Sequence, residues 1–252
     1  MRNNAAQFWK ALALELKDDP NVIGYNILNE PHPERIFDKQ SEHLESINQS
    51  EVQHLLHDFY ASVISHIREV DNQTPIILDS SAYGDPNTFQ YLMPHEDTNI
   101  IYSFHMYEPF EYTNKQRNKL QFTYPGIVSG IRWNQYKLRA YMAAVTTFAN
   151  EHGIPSSRIL VGEFRGHRSS SGLDQYFADL ITIFEEHSWH FAFYAFREDS
   201  WDGMDYELGD KPLPWTYWQA IEQGEKYTLA RKSTHSAFSK IIKSLAKPKK
   251  KK

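Results

Sequence analysis

The 252-residue sequence contains no cysteine. No disulfide can hold the fold, so its stability must come from a buried core, and the redox compartment leaves no mark. No apolar run reaches the roughly 20 residues of a membrane span. The first stretch, MRNNAAQFWKALALELK, breaks its apolar residues with Lys10, Glu15 and Lys17, and no small-residue cleavage site follows. It does not read as a secretory signal, and localisation stays open. A net charge of −5 gives a nucleic-acid partner no electrostatic support. No G-x-G-x-x-G follows a strand and opens a helix. The SSSG at Ser169 lacks the lysine of a phosphate loop, which argues against a nucleotide-binding doubly wound protein. The final KPKKKK, residues 247–252, is expected to be a solvated, disordered tail.

What is present is a rhythm. Ala5, Phe8, Trp9, Leu12 and Leu16 recur at helical spacing, and DDPN ends that helix. A second helix is expected over 51–70, with Val52, Leu55, Leu56, Phe59, Val63 and Ile67 inward. A third is expected from Trp133 to Gly153. Two more follow, LDQYFADLITIFEEH and a last one near Ser236–Leu245. Between the helices lie five short apolar runs, near 22–28, 75–79, 99–105, 158–163 and 190–196. Strands alternating with helices of ten residues or more indicate parallel βα units. The runs are too apolar for one face to meet water, so helices must cover both faces. One domain, residues 1–246, is expected.

Chemistry in such folds gathers at the carboxyl ends of the strands. The first run, VIGYNIL, ends in Asn29, Glu30 and Pro31. Pro31 cannot donate to a ladder, and its ring is expected to hold Glu30 extended, projecting from the rim. The third run ends in His105-Met106-Tyr107, the fourth in Gly162-Glu163, and the fifth in Phe196 with Trp201 close behind. His105 and Tyr107 are two apart and share one face of their strand. Two glutamates on different strands suit glycoside hydrolysis. One protonates the leaving oxygen and the other attacks the anomeric carbon, if their carboxyl groups stand roughly 5–5.5 Å apart. The abundance of aromatics, with six Trp and fifteen Tyr, suits sugar stacking and large cores alike.

VIGYNILNEP, IIYSFHMYEPFEYT, TYPG and ILVGEFRG, in that order, resemble glycoside hydrolase family 5, the cellulase-type retaining β-glycosidases with a (β/α)₈ barrel. The resemblance runs from the first helix to about Trp218. It implies that Glu30 is the general acid/base and Glu163 the nucleophile. It also implies that Asn29 binds the sugar 2-hydroxyl, that Tyr107 orients Glu163, and that His105 lines the same subsite. Phe196 or Trp201 would supply an aromatic platform. No cofactor is implied. Asp202, Asp205 and Glu207 in SWDGMDYELG make a solvated acidic loop rather than a metal site.

The resemblance places Glu30 on barrel strand 4 and Glu163 on strand 7. The sequence therefore reads as a (β/α)₈ TIM-barrel type in which strands 4 to 8 are present and strands 1 to 3 are missing. The outer runs would leave open sheet edges, available to a second copy of the chain or to a complementing chain. The function expected is a retaining hydrolase of β-linked glucan or a related β-glycoside, acting on an oligo- or polysaccharide. The alternative is a catalytically inactive truncated barrel or carbohydrate-binding remnant.

Overall fold

The computed structural model of the chain describes residues 2–36, 48–114, 121–195, 202–209, 211–228 and 235–245. The tail at 247–252 and the candidates Phe196 and Trp201 lie outside the described residues. The chain divides into two compact units. The first comprises Met1–His105, Tyr141–Gly162 and Ser188–Phe191, and the second comprises Met106–Ala140, Glu163–His187 and Ala192–Lys252. Among the described residues, no helix is long and apolar enough to cross a membrane.

A five-stranded sheet lies mostly in the first unit. Its strands are β1 (Tyr25–Asn26), β2 (Ile76–Asp79), β3 (Ile100–Met106), β6 (Ile159–Phe164) and β7 (His190–Phe191), in the order β1-β2-β3-β6-β7. The registers are parallel, pairing Tyr25 with Ile76, Ile76 with Ile100, and Leu160 with His190. Ile76, Ile100, Tyr102, Phe104, Ile159 and Val161 are fully buried, and so is Ser103 on the opposite face of β3. Both faces are therefore covered, as the unbroken apolar runs require. This is the parallel βα architecture of the TIM-barrel type, with five strands among the described residues.

The three inner strands fall within one residue of the expected runs. The two outer ones shrink to two residues each, Tyr25–Asn26 and His190–Phe191. Among the described residues each has one strand neighbour, so its ladder is held from one side only.

Helix α1 (Arg2–Leu16) packs on α2 (Gln49–Arg68). Its buried face centres on Ala6 and Ala13, and Phe8, expected inward, is 61% exposed. Small side chains let the two helices approach, and a phenylalanine on that face would hold them apart. The core stripe of α2 likewise turns toward Tyr60 and Gln53, with Val52, Leu56, Val63 and Ile67 buried as expected. Asn48 caps α2 by accepting from the Glu51 N–H.

Asp71, 5% exposed, ties the end of α2 to the sheet. Its carboxylate accepts the Gln73 N–H at 2.9 Å, the Thr74 N–H at 3.0 Å and the Tyr25 hydroxyl at 2.8 Å. Burial alone would push this carboxyl up. Hydrogen bonds from Thr74, Gln73 and Tyr25 outweigh it and hold the carboxyl at about 2.

The second unit is built on aromatic rings. Phe164, Phe177, Phe193, Tyr206 and Phe238 pack edge-to-face, tilted or stacked at centroid separations of 5.2 to 6.1 Å. The buried tyrosine hydroxyls all find acceptors. Tyr112 donates to the Ser171 carbonyl, Tyr124 to Asp179, Tyr176 to the Glu108 carbonyl and Tyr206 to the Gly166 carbonyl. Arg168, 1% exposed, donates to the Gly209 and Lys211 carbonyls. A hairpin of β4 (Gly126–Val128) and β5 (Ile131–Trp133) turns at Ser129 (φ 49°) and Gly130 (φ 82°). Positive φ at both central residues marks the turn that matches strand twist. This hairpin was not expected from the sequence. The helix expected from Trp133 to Gly153 is two helices, Gln135–Tyr141 and Ala143–Glu151, separated at Met142.

Asp71→Asn removes the charge and turns one of the two accepting oxygens into a donor. Its folded carboxyl sits below the ordinary value, so its contribution is complete above about pH 4 and is lost as pH falls toward 2. The variant is expected to lose about 2 kcal/mol at pH 7. Urea unfolding at several pH values should show the gap between variant and wild type closing between about pH 4 and pH 2.

Candidate active site

Two polar clusters stand at the carboxyl ends of the strands, one in each unit. The first begins at Glu30, four residues beyond β1. Its backbone is left-handed, with φ 50°, and not extended as Pro31 led the sequence reading to expect. Proline does exclude the ordinary helical region for the residue before it. The chain turns through the left-handed region instead, because the Glu30 N–H is fixed to a buried acceptor, Asp79 Oδ2, at 3.1 Å.

Asp79 closes β2 and has no exposed surface. Besides the Glu30 N–H, it faces His105 Nε2 at 3.3 Å and accepts from Asn26 Nδ2 at 3.3 Å. The Tyr60 hydroxyl donates to its backbone carbonyl at 2.9 Å. Burial pushes the Asp79 carboxyl up, but the bond and charge of His105, with Ser103 and the Glu30 N–H, outweigh it and hold the group below its usual range. Asp79 is therefore an anion. On the other side of the ring, His105 Nδ1 stands 2.9 Å from Glu30 Oε1. His105 thus bridges a buried carboxylate and a half-buried one. Both ring nitrogens face a carboxylate oxygen.

Glycine makes room for that ring. A Cβ on Gly162 would lie 2.6 Å from Ser103 Oγ and 3.1 Å from His105 Nε2, and one on Gly84 would lie 3.1 Å from His105 Cγ. The wall beside Glu30 is held by Glu34, which is buried and accepts the Ala82 N–H at 3.0 Å. Burial raises its carboxyl. Ala82 and Tyr83 are both left-handed, Tyr83 donates its N–H to the Pro31 carbonyl, and its ring stacks on His32 at 4.6 Å. Gln53 Nε2 donates to Ser81 Oγ at 2.6 Å. The loop after β1 and the loop after β2 are therefore locked together.

The second cluster lies in the second unit. Glu163, in the last turn of pleat of β6, accepts from the Tyr107 hydroxyl. The Arg165 guanidinium lies over the Tyr107 ring at 5.1 Å and over the Tyr194 ring at 5.6 Å. Arg165 follows Glu163 by two, one residue past the end of β6. The carboxylate thus accepts from a phenol that has a cation over its ring.

Each cluster thus gathers expected residues: Glu30 with His105, and Glu163 with Tyr107. Asn29 is exposed, as a group meeting a ligand from solvent would be. Asp205 is buried and Glu207 half-buried, not the solvated acidic loop that was expected. Asp79 and Arg165 were missed. Asp79 ends the second apolar run, PIILD, and the strand-end rule applied to that run would have found it.

A family model described as "Cellulase (glycosyl hydrolase family 5)" matches residues 1–200. A Hydra vulgaris protein named endoglycoceramidase is 28% identical over 130 residues, 46% of this chain and 22% of that protein. Thermotoga maritima Cel5A, solved in complex with cellobiose, superposes with a TM-score of 0.62 at 20% identity, over 81% of this chain and 60% of its own. A hyperthermophilic endo-β-1,4-glucanase solved with substrate gives 0.62 at 22% identity, over 94% and 66%. The chain therefore spans about a fifth of the Hydra relative and under two thirds of these structures.

Gly162→Ala should force its new methyl against Ser103 and His105. We expect a loss of about 1–3 kcal/mol from overpacking. Ser103→Ala removes the nearest atom, so the double variant should recover part of that loss in a thermal-melt cycle. Additive losses would show that the contact is relieved some other way.

Proposed function

The chain belongs to the cellulase family, glycosyl hydrolase family 5, and from that premise we propose that it carries the machinery of a retaining β-glycoside hydrolase. Glu30 is the general acid/base and Glu163 the nucleophile. The observation that carries this reading is the contrast between the two glutamates. Tyr107 donates to Glu163 with Arg165 over the phenol, which suits a carboxylate that must attack as an anion. Glu30 is bonded to an imidazole, a partner that can take or give a proton.

In the first step Glu30 donates a proton to the glycosidic oxygen while a Glu163 oxygen bonds to the anomeric carbon and the leaving alcohol departs. In the second, Glu30, now a carboxylate, takes a proton from water, whose oxygen displaces Glu163 from the sugar. Asn29 hydrogen-bonds the 2-hydroxyl, His105 lines the same subsite, and Phe196 or Trp201 supplies a stacking face. The substrate is a β-linked glucan or related β-glycoside.

Glu163→Ala is expected to lower turnover of 2,4-dinitrophenyl β-cellobioside about 10⁴-fold or more. Glu30→Ala should form the glycosyl-enzyme on this activated substrate but hydrolyse it slowly, and azide should accelerate release as the β-azide. Full turnover after removal of both glutamates, or an inverted first product by proton NMR, would overturn the assignment. A cooperatively folded chain that binds cello-oligosaccharides without any turnover would favour a carbohydrate-binding role instead.

A further inference from the structure

We propose that Asp79 is a positioning residue for the acid/base step: it keeps the Nε2 proton on His105, so that Nδ1 meets Glu30 across a hydrogen bond holding the proton that the pair shares. This inference rests on the reading of Glu30 as acid/base. It begins from geometry. Asp79 is an anion with no exposed surface, and its Oδ2 faces His105 Nε2 at 3.3 Å. A bare Nε2 lone pair toward a buried carboxylate would be repulsive, whereas an Nε2–H is attractive. The ring is therefore held with its proton on Nε2. On the other side, Nδ1 and Glu30 Oε1 are 2.9 Å apart, a separation that needs one proton between them.

Either Glu30 owns that proton and donates to Nδ1, or His105 owns it as an imidazolium and donates to Oε1. In both cases the pair holds the one proton that the leaving oxygen takes, and the proton drawn from water in the second step restores it. Without Asp79 the ring could take the other tautomer, and the cation would lose its counter-charge. Asp79 also fixes the backbone of Glu30 by accepting its N–H at 3.1 Å, so one carboxylate sets both the main chain and the hydrogen-bond partner of the acid.

Asn26, which also reaches Asp79, is neutral, and Tyr60 meets its backbone carbonyl. Gly84 and Gly162 flank His105 without side chains. Glu163 follows Gly162 on β6, the strand next to β3.

The direction of the effect follows from charge. Removing an anion beside a coupled acid and imidazole makes both give up protons more readily. Asp79→Asn is expected to move the alkaline limb of kcat/KM down by about one pH unit or more. Its turnover should fall about tenfold further on phenyl β-cellobioside, which needs the acid, than on the 2,4-dinitrophenyl substrate, which does not.

The ring itself gives a readout independent of activity. In wild-type chain labelled with ¹⁵N-histidine, the His105 signals, identified by their loss in His105→Gln, should show a protonated Nε2 at every pH at which the protein is folded. They should titrate at lower pH in Asp79→Asn. An Nδ1–H tautomer with bare Nε2 in the wild type, or an unchanged titration in Asp79→Asn, would overturn the proposal, and the wild-type spectrum decides even if the variant does not fold. Leaving-group dependence must also appear in Glu30→Ala. Its absence there would sink the reading of Glu30 itself, whereas its absence in Asp79→Asn alone would sink only the role of Asp79.

Discussion

A carboxylate with no contact with water is the constraint around which the first unit is arranged. Ionised Asp79 is tolerable because donors reach it: the Glu30 N–H, Asn26 and His105. Those donors come from the β1 strand, the loop beyond it, and β3. The same charge therefore sets the register of three segments at the sheet's carboxyl end. It also accounts for the left-handed turn at Glu30, which a solvent-facing strand end would not need. Strain of this kind persists where surrounding bonds determine it, and here they do.

Inner strands were legible in the sequence because their apolar runs are buried on both faces and their lengths are set by two neighbours. The outer strands were not. VIGYNIL has the composition of a seven-residue strand, yet only Tyr25 and Asn26 join the ladder, since composition reports burial and the ladder reports pairing. The hairpin at Ser129-Gly130 escaped because its strands are three residues each, too short for alternation to register, and only the glycine signals the turn. The face of α1 was misread for a related reason. Periodicity placed Phe8 inward, while close packing on α2 selected the alanines.

The site was legible to the extent that strand ends were examined. Glu30, His105, Tyr107 and Glu163 are all polar residues terminating apolar runs, and two clusters built from them are present. Sequence spacing could not show that His105 turns one nitrogen to Glu30 and the other to Asp79. Nor could it show that glycines at 84 and 162 clear the space for the ring, because those relations join segments far apart in the chain. Arg165 lay in view within GEFRG, but a lone arginine two residues past a strand end gives no sign that it will lie over a tyrosine ring.

The two glutamates are given opposite surroundings by the same device, a polar side chain from β3 or just beyond it. At position 105 that side chain is an imidazole backed by an anion; at 107 it is a phenol with a guanidinium over its ring. An imidazole changes its protonation state near neutral pH, so a carboxyl bonded to it can exchange a proton without a large rearrangement. A phenol does not ionise in that range, so a carboxylate bonded to it keeps a donor throughout. Acid/base work needs the first kind of partner and nucleophilic attack needs the second. On the proposed reading, the order His-x-Tyr, and not merely the presence of two glutamates, is the chemically informative part of the sequence.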